Sequence, residues 1–225
     1  MSLEIKNIRK SFRQGDLKVD VLKNLSATIQ SGEIVAVVGQ SGSGKSTLLS
    51  ILAGLEKSDD GEIIVDQKNI SVFNEKEMTR FRAQSISIVF QQYHLVAHLS
   101  ALENVMLPLE ILKQADAKEK AQTILAEMGL AHRLDHRPSE MSGGECQRVA
   151  IARALVVAPK ILLADEPSGN LDVETGLKVM EKFFEIINKH KITTLLVTHS
   201  ESLAQRCGRI LHLEKGQFIE SPHAL

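Results

Sequence analysis

The chain is poor in the features that mark secreted, membrane-spanning or nucleic-acid-binding proteins. Its 225 residues include two cysteines and no tryptophan. Cys146 and Cys207 lie far apart and form no CxxC pair. That argues against a disulfide framework or a zinc site and for a reducing compartment. No apolar run approaches the ~20 residues that a membrane helix needs. The opening MSLEIKNIRKSF has no apolar leader core, so a cytoplasmic chain is expected. Lysine plus arginine (27) nearly balance aspartate plus glutamate (28), for a net charge of −1, so no nucleic-acid partner is expected. Repeats and low-complexity segments are missing too. With 43% hydrophobic and 24% charged residues, one domain with a full core and a soluble surface is expected.

Alternation of apolar and polar residues predicts a strand at 3–8, and residues 27–30 predict another that runs into the turn Ser31-Gly32-Glu33. Residues 34–38 are continuously apolar and valine-rich, as in a strand covered on both faces. A glycine-rich loop and a helical stretch at 46–53 follow at once. Runs at 86–90, 161–164 and 194–197 share the buried-strand character. With helices between them they predict a mainly parallel α/β sheet. Residues 102–112 and 118–128 predict helices, the second closed by Gly129. They lie in a helical insertion of about 92–149 within an α/β core of about 1–91 and 150–225. Further on, 149–157 reads as an apolar helix. Residues 181–191 read as a charged helical face with Phe183, Phe184, Ile186 and Ile187 turned inward, and 210–213 with 217–219 read as a hairpin.

Gly39-Gln40-Ser41-Gly42-Ser43-Gly44-Lys45-Ser46 fits GxxxxGK[ST] between a predicted strand and a predicted helix. Glycines let successive N–H groups turn toward one anion, and the helix N-terminus adds partial positive charge. Lys45 can reach the β- and γ-phosphates of a nucleoside triphosphate, Ser46 can hold Mg²⁺, and Thr47 follows in the first helical turn. Asp165 and Glu166 follow the run 161–164, at a strand's carboxyl end, where open α/β sheets place ligand chemistry. Asp165 suits Mg²⁺, and Glu166 suits polarising a water. Gln91 and His199 end two further strands. Four predicted strands therefore deliver a phosphate loop, a glutamine, an acidic pair and a histidine to one sheet edge. Ser142-Gly143-Gly144-Glu145 satisfies a capping box, yet a box needs neither glycine. Two glycines leave the first N–H groups open to an anion. His94/His98 and His132/His136 have the i,i+4 spacing of zinc-binding helices, but neither pair encloses the glutamate of H-E-x-x-H, and both are read as non-ligands.

These elements, in this order, resemble the ATP-binding cassette (ABC) ATPase family. The resemblance rests on Gly39–Ser46, Gln91, the signature Met141–Glu145, Asp165-Glu166, Ser168–Asp172 and His199, and it spans nearly the whole chain. It implies a P-loop NTPase core with an N-terminal antiparallel β region and a helical insertion. It also implies ATP and Mg²⁺ as cofactors, with Gln91 near the metal and Phe12 stacking on adenine. Two subunits would pair head to tail, Ser142, Gly143, Gly144 and Glu145 of one facing ATP on the other. Within the family the chain looks most like the lipoprotein-releasing and macrolide-export group. Phe90-Gln91-Gln92, Leu102-Glu103-Asn104-Val105 and Gly169-Asn170-Leu171-Asp172 carry that likeness. Met141, Glu145 and Cys146 depart from the commoner leucine and glutamines.

The implied partner is an integral membrane permease on the cytoplasmic face of the cell membrane, docking around 92–109. Export, or extraction of lipoproteins or lipids, is the leading expectation. An ATPase that signals through a membrane partner to an extracytoplasmic enzyme is the alternative. Among soluble machines, DNA-repair members need a coiled coil longer than the interval 46–142 allows, and translation members are tandem cassettes. Iron–sulfur assembly stays open.

Overall fold

The computed structural model describes residues 2–15 and 17–219. Two sheets form the α/β part. The first is antiparallel, ordered β2-β1-β4-β5, from β1 (Leu3–Gln14), β2 (Leu17–Ile29), β4 (Asp60–Val65) and β5 (Lys68–Asn69). The second is ordered β10-β9-β3-β8-β7-β6, from β3 (Ile34–Val38), β6 (Ile86–Val89), β7 (Ile161–Asp165), β8 (Thr193–Val197), β9 (Arg209–Glu214) and β10 (Gln217–Ile219). Every pairing in it is parallel except the β9–β10 hairpin.

Alternate residues of the central strands serve two cores, because successive side chains leave a strand on opposite faces. Val35, Val37, Leu163, Leu195 and Val197 join the first sheet and α1 (Lys45–Leu52) in one cluster. Ile34, Leu162, Ala164 and Leu196 join a helical cluster on the other face. That cluster comprises α3 (Ala101–Ile111), α4 (Ala117–Glu127), α5 (Gly143–Leu155) and α6 (Val173–Lys189). Helix α2 (Glu75–Ser85) leads straight into β6, and α7 (Glu201–Ala204) follows β8.

Capping fixes most helix starts. Asn74 with Glu77, Ser100 with Glu103 and Ser142 with Glu145 form reciprocal boxes on α2, α3 and α5. Asp172 caps α6 by accepting from Thr175 N at 3.0 Å, which starts that helix eight residues before the expected 181. Strands β1 and β2 are longer than expected: the extension of β1 past 8 carries no apolar alternation, and in β2 the alternating Leu17 and Val19 are exposed. Asn104, fully buried, holds the segment before α3. Its Oδ1 accepts from Val96 N at 2.8 Å, and its Nδ2 lies 3.0–3.1 Å from the carbonyls of Val96, Leu99 and Ser100. Both histidine pairs lie in non-helical segments. His94 packs edge-on against Phe90, and His136 Nε2 lies 3.0 Å from Arg133 Nη1.

Candidate nucleotide site

Strand β3 ends at Val38 and the chain turns through a loop with Gly42 and Gly44 at positive φ (78° and 104°) before α1 begins. Gly39 has no room for a side chain: a Cβ there would stand 2.2 Å from Leu213 O. The loop closes on its own lysine. Buried Lys45 donates from Nζ to the carbonyls of Gly39 and Gln40, each at 2.8 Å. No carboxylate among the described residues forms an ion pair with it. Ser43 Oγ is buried with no hydrogen-bond partner. A buried ammonium without a counter-ion, beside an orphaned hydroxyl, is a site short of an anion with acceptor oxygens. The donor set fits a polyphosphate.

Across the sheet edge, Asp165 ends β7 and takes a hydrogen bond from Ser46. Burial pushes its carboxyl pKa up, Ser46 opposes that, and neighbouring Glu166 adds to the rise. A half-buried carboxylate held by the loop serine is an oxygen pair suited to a hard divalent cation. Glu166 follows with φ 45°, left-handed backbone that a non-glycine residue rarely adopts and that costs about 1–3 kcal/mol. The turn aims its carboxylate at His199, whose Nδ1 lies 2.8 Å from Glu166 Oε2. Lys45, Ser46, Thr47, Asp165, Glu166 and His199 share one cleft of about 350 Å³ with Gly39, Ser41, Gly42 and Gly44.

Six expected residues, Gln91, Phe12 and Ser142 to Glu145, sit less simply. Gln91 ends the β6 segment but lies outside the cleft lining; its Nε2 donates to Asn170 Oδ1 at 3.2 Å, and Asn170 Nδ2 returns a bond to Gln91 O. It remains close to the acid: a Cβ on Gly169 would stand 2.8 Å from Gln91 Nε2 and 3.2 Å from Glu166 Oε2. Phe12 is exposed on β1, opposite Val19, with Lys10 Nζ 5.0 Å from its ring centroid, while Val21 lines the cleft. The glycines of α5 have a packing reason that the sequence does not disclose. A Cβ on Gly144 would stand 2.4 Å from Thr175 Cγ2, and one on Gly143 2.8 Å from the Tyr93 hydroxyl. Glu145 faces inward: Oε2 accepts from Ser142 N at 2.8 Å, and Oε1 accepts from Arg133 Nε at 2.8 Å. None of Ser142–Glu145 lines the cleft of its own chain.

Asn170, Val21 and Arg133 were not foreseen as contributors. For Arg133 the signal existed, since a glutamate placed in a buried capping turn calls for a counter-ion.

Comparison with known proteins adds an independent line. The ABC transporter family matches residues 22–169. The lipoprotein-releasing system ATP-binding protein LolD of Geobacter metallireducens is 46% identical, over 96% of this chain and 97% of its own length. The protein of the same name from Paramagnetospirillum magneticum is 44% identical over 97% of each. Among solved structures, the ATP-binding cassette MJ0796 in a dimeric post-hydrolysis state with ADP and Pi superposes with a TM-score of 0.88. It is 37% identical over 97% of both chains. The phosphate loop, the acidic strand end and the capped glycine helix thus stand in a chain that belongs to the ABC transporter family, as one of its ATP-hydrolysing, ATP-binding subunits.

Proposed function

We propose that this ATPase pairs head to tail with a second copy around ATP and drives a separate integral membrane permease in export or in extraction of lipoproteins or lipids. The observation that carries the reading is the single cleft that joins Lys45 and Ser46 to Asp165, Glu166 and His199. Similarity to lipoprotein-releasing ATP-binding proteins along almost the whole chain supports the cargo class.

In this reading the loop N–H groups and Lys45 bind the phosphates, and Phe12 with Val21 flanks the base. Ser46 and Asp165, with Gln91 nearby, would hold Mg²⁺, which would supply positive charge against the phosphate oxygens. Glu166 takes the proton of the attacking water. His199 orients Glu166 and closes the cleft mouth. Ser142, Gly143 and Gly144 of the second copy cover the γ-phosphate from the far side. Gln91 stands where β6 passes into the helical segment 92–149, so a change at the phosphate can move that segment as a subdomain against the permease. Among the described residues no helix is long and apolar enough to cross a membrane. The proposed place is therefore peripheral, on the cytoplasmic face.

The test is oligomeric state. Glu166→Gln protein with ATP should elute as a dimer, with ADP as a monomer, and adding Ser142→Arg should restore the monomer. A Glu166→Gln protein that stays monomeric at high ATP and high protein concentration overturns the pairing. Failure of any membrane subunit to co-purify with the native chain overturns the permease partner.

A further inference from the structure

Glu145 poses a problem for an anion-binding helix end. A helix N-terminus carries roughly +0.5 of an elementary charge, and a carboxylate in the first turn outweighs it. Glu145 sits in that turn of α5 and is ionised in the folded protein. The Ser142 backbone amide holds its pKa below the ordinary carboxylate range, and Arg133 adds to that. Taken alone, this end would present a net charge of about −0.5 to an incoming phosphate.

Arg133 reverses the sign. Its Nε donates to Glu145 Oε1 at 2.8 Å; the glutamate side chain is 13% exposed and the arginine 32%, so solvent screens the pair only in part. On its other edge, Nη1 lies 3.0 Å from His136 Nε2. With arginine as donor, that ring nitrogen accepts, and the proton of a neutral His136 sits on Nδ1. The guanidinium is thus held on two sides within the turn that joins α4 to α5. Counting helix end, glutamate and arginine together restores about +0.5.

We propose that Arg133 is a positioning residue for ATP-driven dimerisation: its ion pair with Glu145 keeps the α5 N-terminus positive toward the γ-phosphate of the opposite subunit. This rests on the head-to-tail reading above. Glu145 then serves as cap and tether of the signature turn and does not itself touch nucleotide.

The experiment measures the ATP concentration for half-maximal dimer formation in a Glu166→Gln parent, by light scattering. Arg133→Met should raise it about tenfold or more, because a largely desolvated glutamate is left uncompensated beside the phosphate. ATP affinity of the monomer should stay unchanged, since the phosphate loop is untouched. Adding Glu145→Gln to Arg133→Met should bring the value back to within about threefold of the parent, as no stray charge remains. Glu145→Gln alone, which preserves the cap and folds independently of the arginine variant, should lower it. Parent-like dimerisation of Arg133→Met, failure of the double variant to recover, or a higher value for Glu145→Gln alone each overturns the inference. A parent that never dimerises overturns the head-to-tail reading first, and this inference with it.

Discussion

His199 Nδ1 sits 2.8 Å from Glu166 Oε2, joining the ends of two adjacent parallel strands, β8 and β7. Glu166 reaches it through a left-handed backbone turn, and the carboxylate has no other side-chain donor among the described residues. In the proposed mechanism the two act as one unit. Glu166→Gln should lower turnover at saturating ATP by roughly 10²–10⁴, the scale of a lost general base, with ATP still bound. His199→Ala should lower it too, and the double variant should be no slower than Glu166→Gln alone. Multiplicative losses in the double variant would show that His199 has a separate task.

Lys45 ties the phosphate loop together through Gly39 O and Gln40 O. Lys45→Ala removes both ties and the cation. A charged hydrogen bond contributes about 1.5–3 kcal/mol, so ATP affinity should weaken about tenfold to hundredfold. Calorimetry with Mg²⁺ present measures this. Unchanged affinity would move the triphosphate elsewhere.

Asp165 has a raised pKa, first from burial. The sign follows from linkage. A carboxyl whose folded pKa exceeds its unfolded value favours the fold below the unfolded pKa, and that contribution is lost as pH rises through the folded pKa. At pH 7 the ionised Asp165 therefore destabilises the nucleotide-free fold. Asp165→Asn should melt above wild type at pH 7, with the gap closing toward about pH 4, while stabilisation by Mg-ATP disappears. A lower melting temperature at pH 7 would show that the Ser46 bond outweighs burial.

Gly144 packs against a stiff β-branched neighbour, Thr175. Gly144→Ala overpacks that contact and should destabilise by about 1–3 kcal/mol, or about 2–12 °C for a chain of this size. Adding Thr175→Ser, which removes the clashing methyl, should recover most of the loss. Failure to recover would place the need for glycine in the backbone.

The four strand ends, the phosphate loop among them, were legible because each is a largely apolar run followed at once by polar residues. Buried parallel strands admit few other patterns. Residues 60–85 were not legible. Strand β4 buries only Ile63 and Val65, and α2 buries only Ser85, so neither leaves an apolar stripe. The start of α6 was hidden for a similar reason, since Val173 and Leu177 are exposed. The partners of Gly144 and Glu145 lie 31 and 12 residues away, on Thr175 and Arg133. Local pattern carries no trace of the Thr175 packing, and of the Arg133 pairing it shows only a glutamate in need of a counter-ion.

The connection from β6 to α3 has almost no slack. Gln147 Nε2 lies 3.4 Å from Phe90 O, Arg153 donates to Tyr93 O and His94 O, and Asn104 grips Val96, Leu99 and Ser100. A chain fastened at such short intervals behaves as a strut. In the proposed cycle a shift at Phe90 would be passed toward α3, where a free loop of the same length would rearrange internally. In the proposed cycle, stiffness in this stretch would decide how far a change at the sheet edge travels into the helical segment.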